Sequence, residues 1–322
     1  MPNYQGVWSL TTQMQNASAW PTFVPTNPRA LFFGGENPGS FDFTNTVDYI
    51  DISSTGNATD FGDLSAAKKS VLSCSSIVRA ISAGGAISGT SYINVIDYFT
   101  IASTGNATDF GDLTETSSNG TGTGSTTRGL LQLGLGSANS VTIHYITIAS
   151  TGNSTDFGDL TQGRAYGQDS ALSSPTRGVF GGGYVSSAVN TIDYVTIAST
   201  GNATDFGDLT VARYGMGAGS SATRGVFGGG NPSGDVLDYI TIASTGNASD
   251  FGDLTSSNRY LSGTSNSTRT VIGGGQNNSD NTRTNVIEFV TIANTGNASD
   301  FGDLTAARSG VSATSGAHGG LA

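Results

Sequence analysis

The sequence predicts an all-β fold, a six-bladed β-propeller of four-stranded blades closed by strands from both termini. Three observations predict it. The eleven-letter motif STGNATDFGDL at Ser54 returns with few changes at Ser103, Ser150, Ser199, Ser244 and Asn294. Each copy sits in a unit of 45 to 50 residues that reads as four short strands, the size of a propeller blade rather than of a β-solenoid coil. The two ends of the chain are complementary half-units.

The unit is clearest between Arg177 and Thr223. Its first strand is RGVF, β-branched and aromatic, ended by glycines. NTIDYVTIA alternates, with Ile192, Tyr194 and Thr196 on one face and Asp193, Val195 and Ile197 on the other, the period of a strand. STGNAT has turn chemistry, because Gly accepts positive φ and Asn and Thr bond their own backbone. DFGDL starts the returning strand. The Gly-rich ARYGMGAGSS suits a crowded innermost strand. No helical periodicity runs through the unit.

Three registers run in step. The motif phenylalanines Phe61, Phe110, Phe157, Phe206, Phe251 and Phe301 are structural repeat positions, expected between adjacent blades. Arg29, Arg79, Arg128, Arg177, Arg224 and Arg269 open the strands that end in glycines, with His318 at a seventh place. An acid-aromatic pair such as Asp193-Tyr194 precedes each motif, and His144 takes the acid's place once. Six further bases follow the DFGDL segment, namely Lys68, Lys69, Arg164, Arg213, Arg259 and Arg308, and only Arg283 stands outside. Charges repeated in register suggest Arg-to-Asp pairs on neighbouring strands or blades. The first unit lacks an inner strand before Arg29, and the chain finishes with one, so Ser309 to Ser315 is expected to complete the first blade and leave no open edge.

Composition narrows function. Net charge is −11, and the 13 basic residues are spread along the chain, which argues against a nucleic-acid partner. No apolar run is long enough to span a membrane, and MPNYQGVWSL lacks the pattern of a signal peptide. One cysteine, Cys74, in the apolar stretch VLSCSSIV, reads as core. DFG occurs six times without the other parts of a kinase. The N-A-T triplets fit a glycosylation acceptor and equally an Asx turn. Calcium at Asn57, Asp60 and Asp63 competes with the scaffold reading, but their spacing differs from a calcium loop. The histidines occupy repeat positions, and no triad, HExxH or phosphate loop occurs. No enzyme, cofactor or metal is therefore expected.

The connection after each glycine pair varies in length and letters: 36 to 46, 86 to 94, 184 to 190, 231 to 235 and 276 to 285. These loops hold Phe41, Phe43, Tyr92 and Tyr184, aromatics able to stack on a sugar or a protein, and are the expected ligand-binding residues.

The glycine pair after one strand, the V-x-Y before a turn, the Phe of DFG and the Arg of VAR at Arg213 resemble kelch repeats over residues 29 to 322. TIASTGNATDFGDLT with repeated RGVFGGG, the opening GVWSLTTQMQNASAWP and the ending AHGGL resemble proteins of tailed bacteriophages of marine bacteria, cyanophages above all. That resemblance implies a non-enzymatic virion structural protein, a tail fibre, appendage or decoration component, oligomeric on a particle and extracellular after lysis. Its implied partners are other virion subunits and a host-surface receptor or glycan. The alternative is a lectin-like propeller not tied to a virus. Residues 1 to 28 precede the repeats and carry Trp8, Leu10, Met14 and Trp20. They are expected to form a strap over the propeller or a docking segment for a neighbouring subunit.

Overall fold

The computed structural model describes residues 28–39, 42–135 and 139–321. It is a six-bladed β-propeller, six four-stranded antiparallel sheets around a central channel. The second blade is typical, with Leu72–Ser75 innermost, then Arg79–Ala83, Val95–Thr100 and Thr108–Asp112 outermost. Blade I takes its inner strand from the far end of the chain. Ser312–Ser315 pairs antiparallel with Arg29–Phe33, Phe33 opposite Ser312 and Ala30 opposite Ser315. This is the closure expected from the complementary ends, and it removes a sheet edge that could otherwise pair with another chain. The proposed strap or docking segment lies outside the described residues except for Pro28.

Both faces of every blade are buried, which explains why the strands alternate without a polar side. Ile192 and Tyr194 of blade IV pack with Phe206 against Phe227, Ile240 and Ile242 of blade V. Val195 and Ile197, on the opposite face, pack against Leu130, Ile143 and Phe157 of blade III. Six such cores lie between blades. Each holds one motif phenylalanine, 2% exposed in all six, edge-on to the ring of the acid-aromatic pair at 5.7 to 6.2 Å. Burying an aromatic of this size contributes about 1.5–3 kcal/mol.

The repeated motif makes the joints. Gly56 and Ala58 donate backbone N–H groups to Phe301 O and Asp303 O of the preceding blade, at 2.8 and 2.7 Å. Asn57 Oδ1 accepts the N–H of Asp303 at 3.1 Å. The same three bonds recur around the ring, with Asn106, Asn153, Asn202, Asn247 and Asn297 in the place of Asn57. The motif therefore extends the outer strand of the neighbouring blade. It also explains the Gly of DFG: at Gly207, φ is +143°, and a Cβ would stand 2.5 Å from the carbonyl of Gly246 in the next blade.

The two basic registers divide in a way the sequence did not indicate. The six arginines that open strands do not pair with aspartates. Each lies over the aromatic ring of its own blade at 4.5 to 4.8 Å and donates to a carbonyl of the next blade, as Arg177 Nη1 does to Ile242 O at 2.8 Å. The bases after DFGDL form the ion pairs: Lys68–Asp97, Arg164–Asp193, Arg213–Asp238 and Arg308–Asp48 at 2.6 to 3.1 Å, all buried and all between blades. Ser117 takes the base's place where His144 takes the acid's, and Asn258, not Arg259, fills the place facing Glu288. At the first place base and acid are lost together, as the cost of an unpartnered buried charge requires; at the second Glu288 remains an acid and accepts the N–H of Thr255 at 2.8 Å.

Candidate functional site: the mouth of the central channel

The inner strands line the channel with small residues, and their hydroxyls hold them together. At one end Ser75 Oγ donates to Ser315 O, Ser265 Oγ to Ser220 O, Ser220 Oγ to Ser173 O and Ser173 Oγ to Gly124 O, at 2.7 to 2.8 Å. Ser315 Oγ closes the remaining link to Ser265 O. The ring fails only at Gly124, which has no hydroxyl to offer Ser75. His318 occupies that gap, its Nε2 3.3 Å from Ser75 O and its Nδ1 accepting the N–H of Gly320 at 3.2 Å. His318 therefore does not stand in a seventh arginine place; Gly316 donates to Arg29 O at that turn. The single turn Gly319–Leu321 then packs across the channel end. Burial lowers the His318 imidazole to about 4.

Toward the other end, blade IV breaks the repeat by insertion. Two residues more separate Arg164 from Ser173 than separate Arg213 from Ser220. Gln168 and Asp169 lie in this extra length, both with positive φ, and both are buried. Asp169 reaches Ser73 Oγ at 3.1 Å and accepts the N–H of Ala313, so one carboxyl ties blade IV to blades II and I across the axis. Burial pushes its carboxyl well above the ordinary range, opposed by these hydrogen bonds. Between Asp169 and His318 is a chamber of about 30 Å³, the size of one water molecule. The channel is thus closed from both ends by departures from the repeat.

Above the inserted Gln168 the channel opens into a bowl of about 290 Å³ on the face of the variable loops. Tyr92, Tyr166 and Tyr260 line it. Tyr166 is at the centre of an aromatic cluster, 6.0 Å from Tyr184, 5.7 Å from Tyr214 and 6.3 Å from Tyr260. Its phenol is raised by burial and by the neighbouring tyrosines, Tyr92 and Tyr184 included. In the same lining Glu36 lies between two cations, pairing with Arg283 Nη2 at 2.7 Å and with Lys69. Lys69 also lies over the Phe43 ring at 4.9 Å. Gln168 Nε2 donates to Ser70 Oγ at 2.9 Å, while its buried Oε1 has no partner. Arg283 Nε is also buried and unpartnered.

Of the loop aromatics expected to bind, the structure brings Tyr92 to the bowl, Tyr184 to its tyrosine cluster and Phe43 to its Lys69 flank; Phe41 lies outside the described residues. Sequence reasoning missed Tyr166, Tyr214 and Tyr260, which belong to the linkers before the inner strands rather than to the loops. The two-residue excess in blade IV and the solitary Arg283 were the visible signals. The other candidates have structural surroundings. Cys74 is buried in the core between blades II and III, its thiol pushed up to about 12 by burial. His144 is lowered by burial and held between Ser154 Oγ and Thr114 Oγ1 at 3.0 and 3.1 Å. Compared with known proteins, the chain matches no family model and no curated sequence.

Proposed function

We propose that the protein is a non-enzymatic recognition component of a virion, a tail fibre, appendage or decoration piece, that reads its partner with the channel mouth and the loops around it. The likeness of the repeats to marine tailed-phage proteins supports the virion setting. One observation carries the choice of face. Of the 13 basic residues, six are committed to the carbonyls and rings of blade joints and four to buried ion pairs. The three that remain are Lys69, Arg259 and Arg283. Lys69 and Arg283 line the bowl, and Arg259 lies over Tyr260 on its wall at 5.4 Å. The bases that no blade joint uses thus gather where loops vary, two of them sharing Glu36, and loops on a rigid scaffold are the usual seat of recognition.

Antibody labelling of purified particles tests the setting. Label on an appendage, with Fab fragments against the mouth blocking adsorption to cells, is the expected outcome. Protein recovered only outside particles would overturn the virion setting. It would leave the second reading, a lectin-like propeller not tied to a virus, which the aromatic-walled, amide-floored bowl favours on its own.

A further inference from the structure

We infer that the bowl at the channel mouth binds a saccharide that carries a carboxylate, a uronic acid or a similar acidic sugar. The inference rests on the mouth being the recognition face and gives that face a ligand class.

Each part of the bowl answers one part of such a ligand. Tyr92 and Tyr166 present rings to the cavity, and a pyranose ring stacks on an aromatic face through its C–H groups. Gln168 is part of the lining, and its Oε1 is a buried acceptor with nothing bonded to it. A buried acceptor without a partner is expensive, and a sugar hydroxyl that reaches it would satisfy it. The cationic wall selects the charge. Lys69 and Arg283 stand against the single acid Glu36 among the described residues of the lining, so the bowl carries a positive excess in a chain of net charge −11. Arg283 Nε is a buried donor still lacking an acceptor, and a guanidinium suits a carboxylate better than a neutral hydroxyl. A volume of about 290 Å³ takes one or two sugar rings, close to the lower end, roughly 300 Å³, of small-ligand pockets.

Isothermal titration of the full-length protein with trigalacturonate, its methyl ester and galactotriose provides the test. Trigalacturonate is expected to bind, more weakly as salt is added, and about tenfold or more tighter than the ester or galactotriose. Arg283→Gln is expected to remove the preference for the acid, and Tyr92→Ser to weaken all three sugars, both without loss of melting temperature. Galactotriose binding as tightly as trigalacturonate would overturn the acidic class. So would an absence of binding, or trigalacturonate affinity unchanged in both variants. The recognition face is judged separately, by adsorption of the labelled Tyr92→Ser protein to cells: adsorption lost without any trigalacturonate binding would sink the sugar and keep the face.

Discussion

The rim and the mouth of this propeller use the same alphabet to opposite ends. At the rim the motif repeats almost letter for letter, and its Gly, Asn and Ala groups are joined to the neighbouring blade by the same three bonds. At the mouth the blades diverge. The six equivalent positions at the head of the inner strands are Ser70, Asn119, Tyr166, Gly215, Tyr260 and Gly310, and blade IV alone adds Gln168 and Asp169. Repetition here marks groups whose bonds are already made to the next blade. Chemistry available to a partner is found where the repetition stops.

The largest expected effect tests the ring on which both regions depend. Removing Ser309 to Ala322 deletes the inner strand of blade I and exposes the edge of Arg29–Phe33. The truncated chain should fail to give a soluble monomer, because an open inner edge invites pairing between chains. A monomer that melts at the full-length temperature would show that closure contributes nothing.

Next come the buried charges, which separate joint from site. Arg213→Met leaves Asp238 buried without its cation and should cost about 3–5 kcal/mol. Changing both residues, Arg213→Met with Asp238→Leu, should recover most of that loss in denaturant unfolding. Equal losses in the single and double variants would mean that packing, and not charge pairing, holds the joint.

Gly207→Ala sharpens the claim about the motif itself. Its φ of +143° and the nearby carbonyl of Gly246 leave a methyl no room, and strain with overpacking should cost about 2–4 kcal/mol. Ligand binding at the mouth should be unaffected. A neutral result in thermal unfolding would remove the steric reason for DFG.

A pH-dependent effect belongs to the channel plug. The His318 imidazole titrates near 4 when folded and near 6.5 otherwise. Its proton therefore binds first to the unfolded chain. The contribution is full above pH 6.5 and is lost as pH falls toward 4. The melting temperature of the wild type should drop relative to His318→Asn across that window. Parallel curves from pH 7 to pH 4 would contradict burial of the imidazole in the Gly124 gap.

The fold was legible because blade chemistry is local and periodic. Strand alternation, the turn residues of STGNAT and the unpaired half-units each follow from short-range rules, and six copies made the pattern plain. The roles of the two basic registers were not legible. Both lie in step with acids, and only the three-dimensional crossing of blades decides that Arg177 meets a carbonyl while Arg213 meets a carboxylate. The site was half legible. Tyr92 and Tyr184 were visible as aromatics in variable loops. Tyr166 and Tyr260 were hidden in linkers that look like scaffold, since convergence on the axis is a property of the closed ring and not of any one unit. The part of His318 was hidden for the same reason, because the gap that it fills is created by Gly124, 194 positions earlier in the numbering.

Two triple variants measured side by side for heat stability and for binding test the division between rim and mouth most directly. One changes Asn57, Asn106 and Asn202 to Ala, removing three blade-joint acceptors, each worth about 1 kcal/mol. The other changes Tyr92, Tyr166 and Tyr260 to Ser in the bowl. The rim variant should melt at a lower temperature and still adsorb to cells. The mouth variant should lose adsorption while keeping most of its stability. A mouth variant that adsorbs normally, beside a folded rim variant that does not, would contradict the account and make the repeated motif the site.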